Sequence, residues 1–265
     1  MNYFKGFLIP GLLVLIGFGC AKQQAGPTGP QGPQGGGAPY DYSVVFETGL
    51  YPDSSYPGPG NPLSTSGCYP HWLDAANPNT APPTGEIRIA AGTTVSNTAL
   101  GLIRFNLSYG IPVNATITAC SLQLTTKTSV SLPVGTYSVG VHQIVAPPGN
   151  AQWYSGSTWN NVAVGGGWDG STNPVSISAP PDYGVTPLDS VTLTSTQLNG
   201  NQTLVGWNIP VALAQVWLDP AQNGNYGLLL SFEPQSAAAP STISFWDNTG
   251  NNQQKPKMVV EYTVP

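Results

Sequence analysis

Short segments in which apolar and polar residues alternate recur along the chain from Tyr40 onward. In the segment 100–108, the side chains of Ile103, Phe105 and Leu107 fall on one face, because successive side chains of a strand point to opposite sides. This alternation predicts β-strands. The other strand candidates are Tyr42–Glu47, Glu86–Ala90, Thr116–Thr126, a row formed by Tyr137, Val139 and Val141, Ser190–Thr194, Thr203–Ile209, Tyr226–Phe232, Thr242–Asp247 and Lys257–Thr263.

One segment has helical spacing instead. In Pro210–Leu218, the residues Val211, Ala214, Gln215 and Leu218 share a helical face, and proline suits the first turn of a helix. Nine or ten strands with a single short helix predict an all-β fold, a jelly-roll sandwich of two antiparallel sheets. Two irregular regions, 51–85 and 146–187, interrupt the strands.

The amino-terminal segment predicts export. Lys5 is followed by an apolar run from Phe7 to Phe18 and then by Gly19 and Cys20. This run is too short to span a bilayer and is typical of a signal peptide over residues 1–19. It resembles a bacterial lipoprotein signal, which implies that Cys20 is acylated and anchors the chain to a membrane, with display at the cell surface. An ordinary secretory signal cut nearby is the alternative.

Residues 20–39 predict a linker. The segment 26–34 consists of three Gly-Pro-X triplets, the repeat of collagen, in which only glycine fits the axis of three chains. It is either an extended spacer or the remnant of a trimeric stalk, which would make the protein a homotrimer. The residues 40–265 are expected to form the β-sandwich domain.

Composition narrows the class of protein. The chain has 32 Gly and 27 Pro, 7% charged residues and a net charge of −5. This composition is typical of an extracellular β protein with many turns, and the acidic balance argues against nucleic acid as a partner. If Cys20 carries lipid, Cys68 and Cys120 remain as a candidate disulfide, worth about 4 kcal/mol for a loop of roughly 50 residues. Two separate buried thiols are the alternative.

The sequence contains no recognisable catalytic set. The only two histidines are His71, in an irregular region, and His142, on the polar face opposite Val139 and Val141 and therefore expected to be exposed. No nucleophile elbow, zinc motif or phosphate loop is present, and no pair of carboxylates stands out for glycoside hydrolysis. We therefore expect a protein that is not an enzyme.

Aromatic residues predict a binding site instead. Tryptophan and tyrosine rings stack on the apolar face of sugars, and loops on a rigid scaffold often carry binding residues. The alternative for these rings is packing in the core of the sandwich. The candidate carbohydrate-binding residues are Trp153, Tyr154, Trp159, Trp168 and Asp169, with a second patch at Trp246 beside Asp247, Asn248 and Asn251. A further candidate is a structural Ca²⁺ held by loop oxygens, and its candidate ligands are Asp41, Asp53, Asp219 and Asp247.

An ordered set of motifs between residues 74 and 263 resembles the DNRLRE-type domains, a disaggregatase-related family that overlaps a family of carbohydrate-binding modules. The motifs are Arg104-Phe105-Asn106-Leu107-Ser108, Ile111-Pro112, Ile117–Leu124, Thr158-Trp159-Asn160-Asn161, Trp207–Val211, Val216-Trp217-Leu218, Asn225-Tyr226-Gly227-Leu228, Phe245-Trp246-Asp247 and Val259–Tyr262. The resemblance implies a jelly roll that binds a polysaccharide or a surface glycan.

The expected function is therefore that of a non-catalytic, cell-surface carbohydrate-binding protein or adhesin, anchored through lipid. A structural protein of the envelope or extracellular matrix, without a small ligand, is the first alternative. A polysaccharide-degrading enzyme is the least expected.

Overall fold

Eleven antiparallel strands build the part of the chain that the computed structural model describes. The described residues are 40–47, 68–92, 94–127, 132–145, 153, 156–162, 168, 182–198, 202–219, 224–234, 241–251 and 253–265. In chain order, the strands are β1 (Tyr40–Glu47), β2 (Cys68–Asp74), β3 (Ile87–Ala91), β4 (Ala99–Phe105), β5 (Thr116–Thr125), β6 (Thr136–Gln143), β7 (Asp189–Thr194), β8 (Leu204–Asn208), β9 (Leu228–Phe232), β10 (Ser241–Phe245) and β11 (Lys257–Val264).

The strands form two sheets with the strand order of a jelly roll. The smaller sheet has the order β1-β11-β5-β8, and the larger has the order β10-β3-β4-β9-β6-β7, with β2 also paired to β4. When β2, β3 and β10 are set aside and the other eight strands are renumbered along the chain, the two orders become 1-8-3-6 and 2-7-4-5. These orders define a jelly roll, so the predicted all-β sandwich is confirmed.

The main core lies between the two sheets. Each inward row comes from alternate positions of one strand, as in the row of Val139 and Val141 in β6. The two sheets meet at one corner, where Thr126 bridges to Phe245 after the end of β5. The sandwich is thus continuous along that edge.

The helices are short. The helix predicted over residues 210–218 spans Val211–Val216, and a second helix of four residues, Ser195–Leu198, was not predicted. In chain order, the helix Ser195–Leu198 is α1 and the helix Val211–Val216 is α2. Among the described residues, no helix is long and apolar enough to cross a membrane.

Strand β2 lies in a region that the sequence predicted to be irregular. Its residues pair with the whole of β4, from Cys68 opposite Phe105 to Asp74 opposite Ala99. The prediction was wrong because Pro70, His71 and Trp72 break the alternation of apolar and polar residues. Edge strands tolerate proline, because only one side of the strand needs its backbone donors.

The predicted disulfide between Cys68 and Cys120 is not present. Both cysteines are buried in the main core, but Cys68 belongs to the larger sheet and Cys120 to the smaller one. Facing sheets pack about 10 Å apart, whereas a disulfide needs Cα atoms about 4.4–6.8 Å apart. The Cys120 thiol instead lies 3.4 Å from Met258 Sδ, and burial raises its pKa to about 12.

The predicted signal peptide over 1–19, the linker over 20–39 and the acylation site Cys20 lie outside the described residues, as do Asp53, Tyr154 and Asp169.

Candidate functional site

The tryptophans of the 146–187 region belong to a second apolar cluster, which we call the outer layer. It covers the outer face of the larger sheet, the face turned away from the main core. Its buried members are Leu73, Leu100, Leu102, Ile144, Trp153, Trp159, Val162, Trp168, Tyr183, Tyr226 and Leu229. Strand residues and loop aromatics therefore seal each other from water.

Trp153 is held by both its ring and its indole nitrogen. Its Nε1 donates to the carbonyl oxygen of Tyr226 at 2.7 Å, and its side chain is fully buried. The adjacent Gly227 has φ of +85°, and a Cβ there would lie 2.7 Å from the carbonyl oxygen of Ile103. Glycine is therefore required where the chain passes between Trp153 and β4.

A tight turn fixes Trp159 and Trp168. The Thr158 amide donates to the carbonyl of Asn161 at 2.8 Å, and Asn160 donates from its amide to the carbonyl of Pro78 at 3.0 Å. Trp168 Nε1 donates to the carbonyl of Thr158 at 3.0 Å. The Thr158–Asn161 motif thus anchors the region to the loop after β2.

A buried cation lies beside Trp153. The Arg104 guanidinium lies 5.2 Å from the ring centre of Trp153 and 5.9 Å from that of Tyr69, and it donates to the carbonyl of Trp153 at 3.4 Å. Burial lowers the pKa of Arg104 to about 10. The neighbouring His71 donates from Nε2 to the carbonyl of Ser157 at 2.9 Å, and burial lowers its pKa. Cation–π contacts and carbonyl groups therefore take the place of a carboxylate partner here.

The predicted stacking role of Trp153, Trp159 and Trp168 is at odds with this geometry. All three rings are buried against the sheet, so a sugar could not reach their faces without displacing the outer layer. The alternative, core packing, is the arrangement that the structure has. Of the seven tryptophans, six are buried and only Trp246 is half-buried.

The second predicted patch, at Trp246, is partly occupied. Lys127 Nζ lies 5.0 Å from the centre of the Trp246 ring and donates to the carbonyl of Gly85 at 3.0 Å. The Asp247 carboxylate is buried and accepts hydrogen bonds from the amides of Gly85 and Thr249 at 2.7 and 2.8 Å. Asp247 therefore fastens two loops together and is not turned toward solvent.

The three predicted calcium ligands that the structure describes do not form a group of metal ligands. Asp41 is exposed in β1, Asp219 follows α2, and both carboxylate oxygens of Asp247 accept hydrogen bonds from protein groups. Within the described residues, no three His, Cys, Asp or Glu side chains are grouped so that they could hold a metal ion. Calcium binding stays a prediction.

His142, expected to be exposed, is buried. Its Nδ1 lies 2.6 Å from the carbonyl oxygen of Gly184, and its Nε2 lies 2.7 Å from Glu233 Oε1 and 3.1 Å from Ser231 Oγ. The serine and the glutamate meet the same ring nitrogen. A catalytic relay needs the carboxylate on one ring nitrogen of the histidine and the serine on the other ring nitrogen. His142, Glu233 and Ser231 therefore do not form such a relay.

A polar cleft opens where β2, β3, β4 and β10 meet. Its volume is about 210 Å³, and its lining includes the small residues Ala90, Ala91 and Ala99, of which Ala90 and Ala99 are register partners. Because alanine side chains are short, they leave room that larger residues would fill. The other side chains of the lining are those of Trp72, Asp74, Arg88, Ser96, Asn97, Thr98, Ser241 and Thr242.

Arg88 is the fixed cation of the cleft. Its guanidinium lies 4.6 Å from the ring centre of Trp72 and pairs with Glu86, while its Nε is buried without a hydrogen-bond partner. Trp72 is itself fixed, because its Nε1 donates to the carbonyl of Pro83 at 3.1 Å. Glu86 thus offsets the charge of Arg88, and Asp74 brings a second carboxylate to the lining of the cleft.

The turn at residues 94–97 brings the side-chain amide of Asn97 to the cleft. Thr94 Oγ1 donates to Asn97 Oδ1 at 2.5 Å, and the turn packs closely on Gly92, where a Cβ would lie 2.4 Å from Asn97 Cβ. The cleft therefore combines a guanidinium, an amide, hydroxyls and a carboxylate on short, fixed elements.

Sequence reasoning missed this cleft, because its residues come from four separate strands and no local spacing connects them. The outer layer did leave a signal. Strands β4 and β9 are buried at every position, and their sequences contain the apolar runs Leu100–Ile103 and Leu228–Leu230. Such runs indicate a strand buried on both faces.

Comparisons with protein-family models and with curated proteins returned no match for this chain. The resemblance to DNRLRE-type domains stays a prediction.

Proposed function

We propose that this chain is a non-catalytic, lipid-anchored surface protein that binds carbohydrate in the polar cleft around Arg88. The cleft is the observation that carries this proposal. Jelly rolls serve as lectin domains, although a fold alone does not define a function. The argument therefore rests on the chemistry of the cleft and not on the fold.

The chemistry of the cleft suits a small neutral sugar. Guanidinium, amide, hydroxyl and carboxylate groups can together donate to and accept from neighbouring hydroxyls. Since Glu86 and Asp74 offset the charge of Arg88, a strongly anionic ligand is not favoured. A volume of about 210 Å³ is smaller than the roughly 300–1,000 Å³ of sites for drug-sized ligands, which suits a single sugar unit at the end of a chain.

The test is a glycan-array screen of the exported chain, repeated with two cleft variants. Ala90→Leu fills part of the cleft, and Thr242→Val removes a hydroxyl at nearly constant shape. Thr192→Val, an exposed position in β7, is the matched control. We expect the parent and the control to bind the same glycan and Ala90→Leu to lose at least tenfold in affinity. Equal binding by all four proteins would place the sugar elsewhere and contradict the proposal.

The burial of six tryptophans favours the second candidate, a structural protein of the envelope or matrix. In that function, the outer layer and the main core both serve to make a stable packing unit, and the cleft has no ligand. A parent protein that binds no glycan in the screen, yet remains in the envelope fraction, would support this function over carbohydrate binding.

Anchoring rests on Cys20, which follows the apolar run of the signal. Acyl carbons contribute about 0.8 kcal/mol per buried CH₂, so two or more chains hold a protein firmly on a membrane. Cys20→Ser is expected to release the protein into the medium. Retention of this variant in the membrane fraction, with no lipid found on the parent by mass spectrometry, would refute anchoring.

A further inference from the structure

The sandwich has an exposed apolar end where β1 begins and β11 finishes. Tyr42 and Tyr262 are register partners there, and their rings stack with centres 5.3 Å apart at 18°. They continue the inward row of Phe46 and Val44, yet Tyr42 is 46% exposed. The opposite sheet therefore does not cover the end of this row.

Helix α2 lies at the same end. Gln215 of α2 accepts from the amide of Ile117 and donates to the carbonyl of Ala115, both at 2.9 Å, and Ile117 is the register partner of Tyr262. The short loop before β5 ends close by, because Thr116 pairs with Thr263. The helix and the loop add three exposed apolar side chains, those of Val113, Val211 and Val216. We call Tyr42, Tyr262 and these three valines the linker-side end.

The linker joins the domain at this end. Residues 20–39 lead directly into Tyr40, the first residue of β1. Their Gly-Pro-X triplets have the repeat that packs three chains around one axis. Three triplets are few for a stable triple helix, so a trimer would need a further contact, and the apolar surface nearest to the triplets along the chain is the linker-side end.

We propose that the linker-side end packs against the same end of two other copies of this chain, making the protein a homotrimer. Exposed tyrosine and valine side chains suit such a contact, because aromatic residues are enriched in interfaces and apolar burial drives association. The occupant of the surface is a second copy of this chain, since the triplet repeat brings identical chains together at this point.

Sedimentation velocity of the full chain, extracted in detergent, tests the proposal. The parent is expected to sediment as a trimer. Tyr42→Lys places a charge in the contact and is expected to give a monomer, while the melting curve stays close to that of the parent because nearly half of the Tyr42 surface is already in water. Val134→Lys is the matched control. Val134 is exposed and follows the end of β5 that lies away from Tyr42 and Tyr262, so this variant is expected to remain trimeric.

Gly29→Ala separates the two sources of association, because one substituted glycine disrupts a collagen helix. A trimer that survives Gly29→Ala but is lost in Tyr42→Lys supports the proposal most directly. A trimer that is lost in Gly29→Ala and kept in Tyr42→Lys overturns it, since the triplets alone would then hold the chains. A monomeric parent also overturns it. None of these outcomes depends on whether the cleft binds sugar.

Discussion

The main core and the outer layer bury similar side chains by different routes. The main core is made of alternate positions on strands of both sheets, such as Ile103 in β4 and Val139 in β6. The outer layer combines the opposite faces of the same strands with aromatic residues that belong to no strand, such as Trp153 and Trp168. Regular alternation therefore identifies one core and misses the other, although both exclude water from a face of β4.

Each region holds at least one buried tryptophan through its indole nitrogen. Trp207 in the main core donates to the carbonyl of Val139 at 2.9 Å, and Trp153 in the outer layer donates to that of Tyr226 at 2.7 Å. A buried Trp usually finds such a partner. The outer layer is thus packed and bonded like a core, and we expect it to contribute to stability like one.

The strongest test of this equivalence compares Trp153→Ala with Trp207→Ala. Each change removes a buried ring and leaves a carbonyl without its donor, so each is expected to lower the free energy of unfolding by about 3–5 kcal/mol. Urea unfolding followed by circular dichroism measures the loss. A cost below about 1 kcal/mol for Trp153→Ala alone would mean that the outer layer is a loose cover and would reopen a binding role for that ring.

A second comparison uses one glycine from each region. In Gly101→Ala, the new Cβ meets the Ile87 side chain at 2.7 Å in the main core, and such overpacking costs about 1–3 kcal/mol. In Gly227→Ala, the new Cβ meets the backbone oxygen of Ile103 at the same distance, and φ of +85° adds about 1–2 kcal/mol. Gly227→Ala is therefore expected to be the more destabilising change in the same urea assay. The opposite order would show that the chain beside Trp153 can shift freely.

The smallest expected effect concerns pH and belongs to His71, whose ring stacks on Trp153 of the outer layer. Burial holds the pKa of His71 below its ordinary value of 6.5. The stability that this neutral histidine contributes is complete above pH 6.5. It declines as the pH falls below 6.5, because the unfolded chain then binds a proton that the folded chain does not.

His71→Gln should therefore reduce the loss of unfolding free energy between pH 7.5 and pH 5.5. Equal losses in the two proteins would contradict the shift of the His71 pKa.

Much of the fold followed from alternation, since the rows of Ile103 and Val139 and the helix near Val211 were all predicted. The site could not be predicted in the same way. The sequence around Trp153 lacks periodicity, and such a loop ring can either bind a ligand or cover a sheet. The deciding information lay in β4, where Leu100 and Leu102 are apolar on the face that should have met water. A sheet with two apolar faces needs a second cover, and the loop tryptophans are the residues that provide it.

The cleft, in contrast to the outer layer, left no signal in the sequence from which it could have been predicted. Arg88 and Asn97 become neighbours only because β3 and the turn before β4 converge on the same small residues. No pattern within one segment encodes that meeting. The disulfide prediction failed for a related reason, since Cys68 and Cys120 share a core but belong to facing sheets.

The pairing of the first and last strands has a mechanical consequence. Eight residues of β1 are matched in register with β11, from Tyr40 opposite Val264 to Glu47 opposite Lys257. A pull on the chain before Tyr40, resisted at the far end of the sandwich, acts along the strands and loads all the hydrogen bonds of this ladder together. Such a shear joint yields only when the whole strand slips, whereas a ladder pulled from its side opens one bond at a time. The paired strands would thus resist a pull applied to the chain just before Tyr40.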